Sequence, residues 1–141
     1  MRALGLDLGS KRIGVAVSDR SGTIATPLTV ITRGRSRRGD HERIAALARE
    51  EEAEVVVVGL PRSLSGGAGP AARAATAEIA ALASVVDVPV EPYDERFTTV
   101  TAERALTEGG MRGRARRQVV DKVAAAVILQ SWLDARRSAT P

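Results

Sequence analysis

Residues 4–18 restrict what this chain can fold into more than any other stretch. Leu4, Leu6 and Leu8 alternate with Gly5 and Asp7, and Ile13, Val15 and Val17 alternate with Gly14, Ala16 and Ser18. Both runs carry the period-2 signal of a half-buried strand, and the four residues between them, Gly9-Ser10-Lys11-Arg12, suit a tight turn. The two apolar sets share one face only if the strands pair as a hairpin. Asp7 then falls on the opposite face, near the end of its strand, where a carboxylate costs stability unless it is solvated or used.

A chain of 141 residues fits one domain over 1–141. Its hydrophobic content is carried by Ala, Val, Leu and Ile, with Trp132, Tyr93 and Phe97 the only aromatics. The core is therefore aliphatic, and few side chains are left to stack on bases. The absence of cysteine excludes disulfides, thiolate zinc sites and a cysteine nucleophile, and it fits a reducing cytoplasm. His41 is the only histidine, so acid–base or metal chemistry falls to carboxylates. No apolar run approaches membrane-spanning length, and the N-terminus enters a strand directly; no membrane is expected. A formal charge of +4, with Lys11 and Lys122 the only lysines among 21 basic residues, suits a polyanionic partner such as nucleic acid.

Beyond the hairpin, Ile24 to Ile31 reads as a strand interrupted by Pro27, which belongs at a sheet edge. Arg33 to Gly39 reads as a basic loop, either solvated or a flap that contacts phosphate. Asp40 is placed to cap a helix with Ile44, Leu47 and Ala48 on one face, closed by Glu50 to Glu52. Val55 to Val58 is a continuous β-branched run, as expected of a strand covered on both sides. Gly59 to Pro70 is glycine-rich but lacks the spacing of a nucleotide-binding loop. The next helix shows Ala75, Ile79, Leu82 and Val86 on one face, and Val88 to Tyr93 forms a strand that delivers Asp94-Glu95-Arg96-Phe97-Thr98-Thr99 at its end. Thr98 or Thr99 is placed to cap a further helix ended by Gly109-Gly110. A second basic loop, Met111 to Arg117, precedes a last helix with a broad apolar surface from Val119 to Leu129 and Asp121 in its first turn. This order predicts an α/β fold. Its mixed sheet has five strands, a three-stranded antiparallel meander plus two parallel strands, with helices on both faces.

The element order resembles the ribonuclease H-like fold. The motifs, taken together, resemble the YqgF family. They are Asp7 within Gly5-x-Asp7-x-Gly9-x-Lys11-Arg12-Ile13-Gly14-Val15-Ala16-x-Ser18-Asp19, then Gly59-Leu60-Pro61, then Asp94-Glu95-Arg96-x-Thr98-Thr99, and last Asp121-x-x-Ala124-Ala125-x-x-Ile128-Leu129-Gln130. That family is described as Holliday-junction resolvases and as nucleases that process the 5′ end of pre-16S ribosomal RNA. The resemblance covers nearly the whole chain in the right order.

It implies a metal-dependent phosphodiesterase in which Asp7, Glu95 and Asp121, by matching position, converge on one or two Mg²⁺ or Mn²⁺ ions. Such ions prefer oxygen ligands and keep waters, one of which becomes the nucleophile; a two-metal site holds them roughly 3.5–4 Å apart. Asp94 is the alternative to Glu95, since strand alternation gives only one of these neighbours to a given face. Lys11 and Arg12 are placed to hold the substrate backbone, and Arg96 to contact the scissile phosphate or orient Glu95. Arg112, Arg114, Arg116 and Arg117 supply affinity that does not depend on base sequence. Gly5 and Gly9 are expected to keep the space around Asp7 open.

The partner implied is structured RNA or branched DNA, with pre-16S rRNA processing as the first reading and junction resolution as the second. A homodimer suits a four-way junction, which offers two equivalent strands, although no motif marks its interface. Two other classes stay open beside these. One is a catalytically silent RNA-binding factor. The other is a relative of actin-like ATPases, which normally need two such domains.

Overall fold

The hairpin forms, and it sits at the centre of the sheet. A computed structural model of the chain describes residues 1–61, 69–98 and 113–139, with the side chains of 113–121 and 139 outside the description. Strands β1 (Ala3–Leu8), β2 (Arg12–Ser18), β3 (Ala25–Thr32), β4 (Val55–Leu60) and β5 (Val90–Asp94) make one sheet in the order β3-β2-β1-β4-β5. β1 pairs antiparallel with β2, and β2 with β3; β4 pairs parallel with β1 and with β5. The proline-bearing β3 is an edge strand, and Pro27 lies just past the register shift at Val15/Ala16, where a missing N–H is tolerated.

Helices α1 (Arg37–Glu50) and α2 (Pro70–Ala83) cover one face, and α3 (Gly113–Ala139) covers the other. The alternation in β1 divides the core accordingly. Leu4 and Leu6 join Ile13, Val15, Val56, Val58, Ile44 and Leu82 under α1 and α2. Ala3, Ala16, Val55 and Val57 meet Ala125, Ile128, Leu129 and Trp132 of α3. Small residues dominate the sheet on the α3 side because the helix lies close; a Cβ built on Gly5 would stand 2.7 Å from Leu129 Cβ and 3.1 Å from the Ala125 carbonyl oxygen. Gly5 therefore admits α3 against the sheet, rather than opening space around Asp7.

Three local expectations are corrected. Ser36, not Asp40, caps α1, its hydroxyl accepting the Gly39 N–H at 3.0 Å. Asp40 is buried in the first turn instead, where Oδ1 accepts the Gly34 N–H at 2.8 Å and an Arg43 N–H at 2.7 Å. The stretch read as two basic loops is partly helical, since Arg37 to Gly39 open α1 and residues 113–117 belong to α3. Val86 is in the core but lies past the end of α2, its N–H donating to Leu82 O at 3.1 Å. The helix expected to end at Gly109-Gly110 lies outside the described residues.

Candidate active site

Asp7 is 5% exposed at the C-terminal end of the central strand. Its partner across the hairpin is Gly14. On the other side, one residue beyond the last registered pair Leu6–Val58, its neighbour is Gly59. The flanking strands thus put no side chain beside the carboxylate on its own face. The residues beside it are Gly14 and Gly59, and the space over Gly59 is shared by Ile128 of α3, whose Cδ1 lies 2.5 Å from where a Gly59 Cβ would be. Gly9 serves the turn, where a Cβ would stand 2.5 Å from the Arg12 carbonyl oxygen.

Glu95 comes to the same face from β5. The register pairs Gly59 with Tyr93 and Leu60 with Asp94. Leu60 packs toward α1 and α2 and Tyr93 toward α3, so Asp94 shares the first face and the next residue returns to the second. Glu95 Oε1 accordingly lies 3.2 Å from where a Gly59 Cβ would be. Asp94 caps the short 3-10 turn Glu95–Phe97 and is held by Arg96, accepting its backbone N–H at 2.9 Å and its guanidinium at 2.9 and 2.6 Å. Those bonds raise the Arg96 pKa above its ordinary value. The guanidinium expected to orient Glu95 is thus held by Asp94. Thr98 closes the turn from behind, with its N–H and hydroxyl both donating to the Glu95 carbonyl, at 3.0 and 2.9 Å. Thr99 lies outside the described residues.

The backbone of Asp121 lies in α3, one turn before Ala125, whose carbonyl abuts Gly5; its side chain is outside the description. Among the described residues no group of three His, Cys, Asp or Glu could hold a metal ion. The oxygen donors that are described, on Asp7 and Glu95, suit a hard divalent cation such as Mg²⁺ or Mn²⁺ rather than a thiophilic one. Lys11 is exposed and Arg12 half-buried in the turn that follows Asp7. Arg112 lies outside the described residues, and Arg114, Arg116 and Arg117 are placed by backbone alone in the first turns of α3.

Two features went unread in the sequence. Phe97, two residues from Glu95, is 65% exposed, edge-on to Tyr93 at 6.0 Å and with the Arg96 guanidinium 6.0 Å from its centroid. The second is a hydrogen-bonded cluster beneath the turn on the α1–α2 face, made of the buried Asp40, His41 and Glu78 and the half-buried Arg33. Burial alone would raise both carboxyls. For Asp40, the Gly34 N–H and Arg43, with the charge of Arg33, outweigh it and hold the group below the usual carboxylate range. For Glu78, hydrogen bonds from Arg33 and His41, with the charges of Arg33 and Arg37, do the same.

Known proteins agree with this architecture. Among solved structures, RuvC of T. thermophilus in complex with a Holliday junction substrate aligns with a TM-score of 0.62 at 18% identity, covering 99% of this chain and 98% of that one. This likeness shows a shared fold. Proteins of Mycobacterium sp. (strain KMS) and Nocardia farcinica (strain IFM 10152) carry the provisional name pre-16S rRNA nuclease. Each is 50% identical to this chain, covering 98% and 96% of it and 82% and 78% of their own lengths. The model of the RuvX family, described as Holliday junction resolvase, matches residues 1–135. The chain belongs to the RuvX family, also written YqgF.

Proposed function

We propose that this protein is a metal-dependent endonuclease that cleaves structured RNA, its substrate being the 5′ region of pre-16S rRNA, with Asp7, Glu95 and Asp121 holding the metal. Its class as a phosphodiester hydrolase rests on the family, and the rRNA substrate on the names of its relatives. The observation that carries the site is the pairing of two carboxylates on one sheet face: Asp7 between Gly14 and Gly59, and Glu95 with an oxygen above Gly59.

A hard divalent ion, when bound, supplies charge neutralisation and a water of lowered pKa at neutral pH. The chain's own part is to fix oxygen donors on rigid elements. Asp7 is set by the central strand, Glu95 by a 3-10 turn pinned through Asp94 and Thr98, and Asp121 by the helix packed on Gly5. Lys11 and Arg12 put positive charge at the rim for the phosphodiester backbone. The arginines from 112 to 117 add attraction for any nucleic acid.

The test is cleavage of a pre-16S 5′-leader RNA and of a four-way DNA junction with Mg²⁺ or Mn²⁺, using wild type, Asp7→Asn and Glu95→Gln. Loss of an outer-shell partner of a metal ligand commonly costs 10- to 100-fold, so removing a ligand should lower the rate by more than about 100-fold. RNA binding should survive in both variants. Cleavage of the junction and not the RNA overturns the substrate; full activity of Asp7→Asn overturns the site.

A further inference from the structure

The turn between Asp7 and the cations Lys11 and Arg12 is gripped from the far side of the sheet. Arg33 follows the edge strand β3 directly, and its backbone N–H extends the β2–β3 ladder by donating to the Lys11 carbonyl at 2.9 Å. Its side chain then reaches under the turn. Nε donates to the Gly9 carbonyl at 2.7 Å, and the two terminal nitrogens donate to Glu78 at 2.8 and 2.9 Å. Glu78 is in turn hydrogen-bonded to Nε2 of the buried His41 at 2.8 Å. One guanidinium therefore ties together the turn after Asp7, the end of β3 and helix α2. The pair forms a wall of a cleft of about 480 Å³ that is also lined by Leu8, Gly9 and Ser10.

The side chains of Arg33 and Glu78 are only 15% and 5% exposed, so a bidentate ion pair is held largely out of water. For stability alone such a pair does little that packed apolar residues would not do as well. What it does supply is direction: a planar guanidinium whose terminal nitrogens are fixed on Glu78 aims its Nε–H at the Gly9 carbonyl. Gly9 is two residues from Asp7, and its N–H donates to the Arg12 carbonyl at 2.9 Å, so the carbonyl cannot move without moving the turn.

We propose that Arg33, braced by Glu78 and His41, is a positioning residue for the nuclease site, holding the Gly9–Arg12 turn so that Asp7 and the cations beyond it keep their working geometry. The assignment rests on the reading of Asp7 as a metal ligand given above. Arg33 acts through the Gly9 carbonyl and touches neither metal nor substrate. Reacting groups displaced by about 1 Å lose on the order of 10²-fold in rate, so the clamp governs turnover more than binding.

The experiment compares wild type with Arg33→Lys, which keeps the charge but cannot bond Gly9 and both Glu78 oxygens, and with Glu78→Gln, which loosens the same clamp from its other end. Arg49→Gln, which breaks the exposed Arg49–Asp87 pair, is the control. Thermal midpoints, kcat and KM for metal-dependent cleavage, and amide exchange at Gly9 are measured on each. The expected result is kcat lower by about 10- to 100-fold in both clamp variants, with KM within about twofold and the folded state retained. Gly9 exchange should be faster in both, and the control unchanged. Folded clamp variants with wild-type kcat overturn the assignment and leave the nuclease reading standing. If both clamp variants fail to fold, Arg33 and Glu78 are folding determinants and the assignment falls. A wild type inert on every substrate overturns the nuclease reading, and this inference with it, even where Gly9 exchange responds.

Discussion

Gly5→Ala is the smallest change that tests how α3 is seated. The new Cβ would stand 2.7 Å from Leu129 Cβ and 3.1 Å from the Ala125 carbonyl oxygen. Ordinary carbon contacts lie at about 3.5–4.0 Å, so the first approach is too close by roughly 1 Å. Neither neighbour is the tip of a flexible side chain: one is the first atom of Leu129 and the other is backbone. The helix must therefore shift as a body, and β1 cannot yield in its place because it is hydrogen-bonded to β2 and β4. Overpacking of this kind costs about 1–3 kcal/mol, offset by about 0.4–1 kcal/mol because alanine restricts the unfolded chain more than glycine does. The net loss, at most about 2.6 kcal/mol and centred near about 1.3 kcal/mol, predicts a thermal midpoint lower by roughly 5 °C, and by no more than about 10 °C, for a domain of this size. Activity should fall by more than stability implies. A helix displaced by about 1 Å carries the Asp121 backbone away from Asp7, and a displacement of that size costs on the order of 10²-fold. The assay is a melting curve together with single-turnover cleavage well below the midpoint. A variant that melts at or above wild type refutes the packing, and one that melts low but cleaves at the wild-type rate refutes the role of α3 in the site.

Two further outcomes follow from the charges. Asp40 and Glu78 both titrate below the usual carboxylate range in the folded protein, and hydrogen bonds from the Thr23 N–H, the Ser21 hydroxyl and the Ile24 N–H lower Asp19 to about 2. Depressed carboxyls stabilise the fold above the unfolded value near 4, and that stability is lost as pH falls through the folded values. The midpoint should hold level from pH 7 to about 5, then fall steeply toward pH 2, with a shallower acid slope in Asp40→Asn; a level midpoint down to pH 2.5 would refute the buried pairing. Nucleic-acid affinity should fall with salt, and replacing Arg114, Arg116 and Arg117 together by Gln should reduce the log–log slope by about 2 to 3, equally for RNA and DNA. Titrations between 50 and 200 mM salt check it, and an unaltered slope removes these arginines from the interface.

Local patterns carried most of the fold. The alternation in residues 4–18 and the valine run at 55–58 each specify an element without help from elsewhere, and Pro27 marks an edge by its missing N–H alone. The choice between Asp94 and Glu95 had no such local source. It turns on Gly59 pairing with Tyr93, a parallel register between strands joined only through α2. At the start of α1, Ser36 and Asp40 are both good capping types, and the competition is decided by Gly34 and Arg43, which draw the Asp40 carboxylate inward.

The clamp shows where legibility ends. His41, Ile44, Ala45 and Ala48 stand at i, i+3, i+4 and i+7 on the buried stripe of α1, and Ala75, Glu78, Ile79 and Leu82 stand at the same kind of spacing on α2.

 One ionisable side chain on each of two apolar stripes facing the same sheet is a signal that the two meet, because neither is stable there without a partner. His41 and Glu78 do meet, at 2.8 Å. The third member leaves no such trace. Arg33 is one of four arginines between residues 33 and 38, and only the path of β3 along the hairpin brings this one, and not Arg35, Arg37 or Arg38, under the Gly9 carbonyl. A periodic pattern reports what a side chain avoids, which is water. What a buried charge grips is set by where the backbone of another element ends, and at this site that end is the turn that follows Asp7.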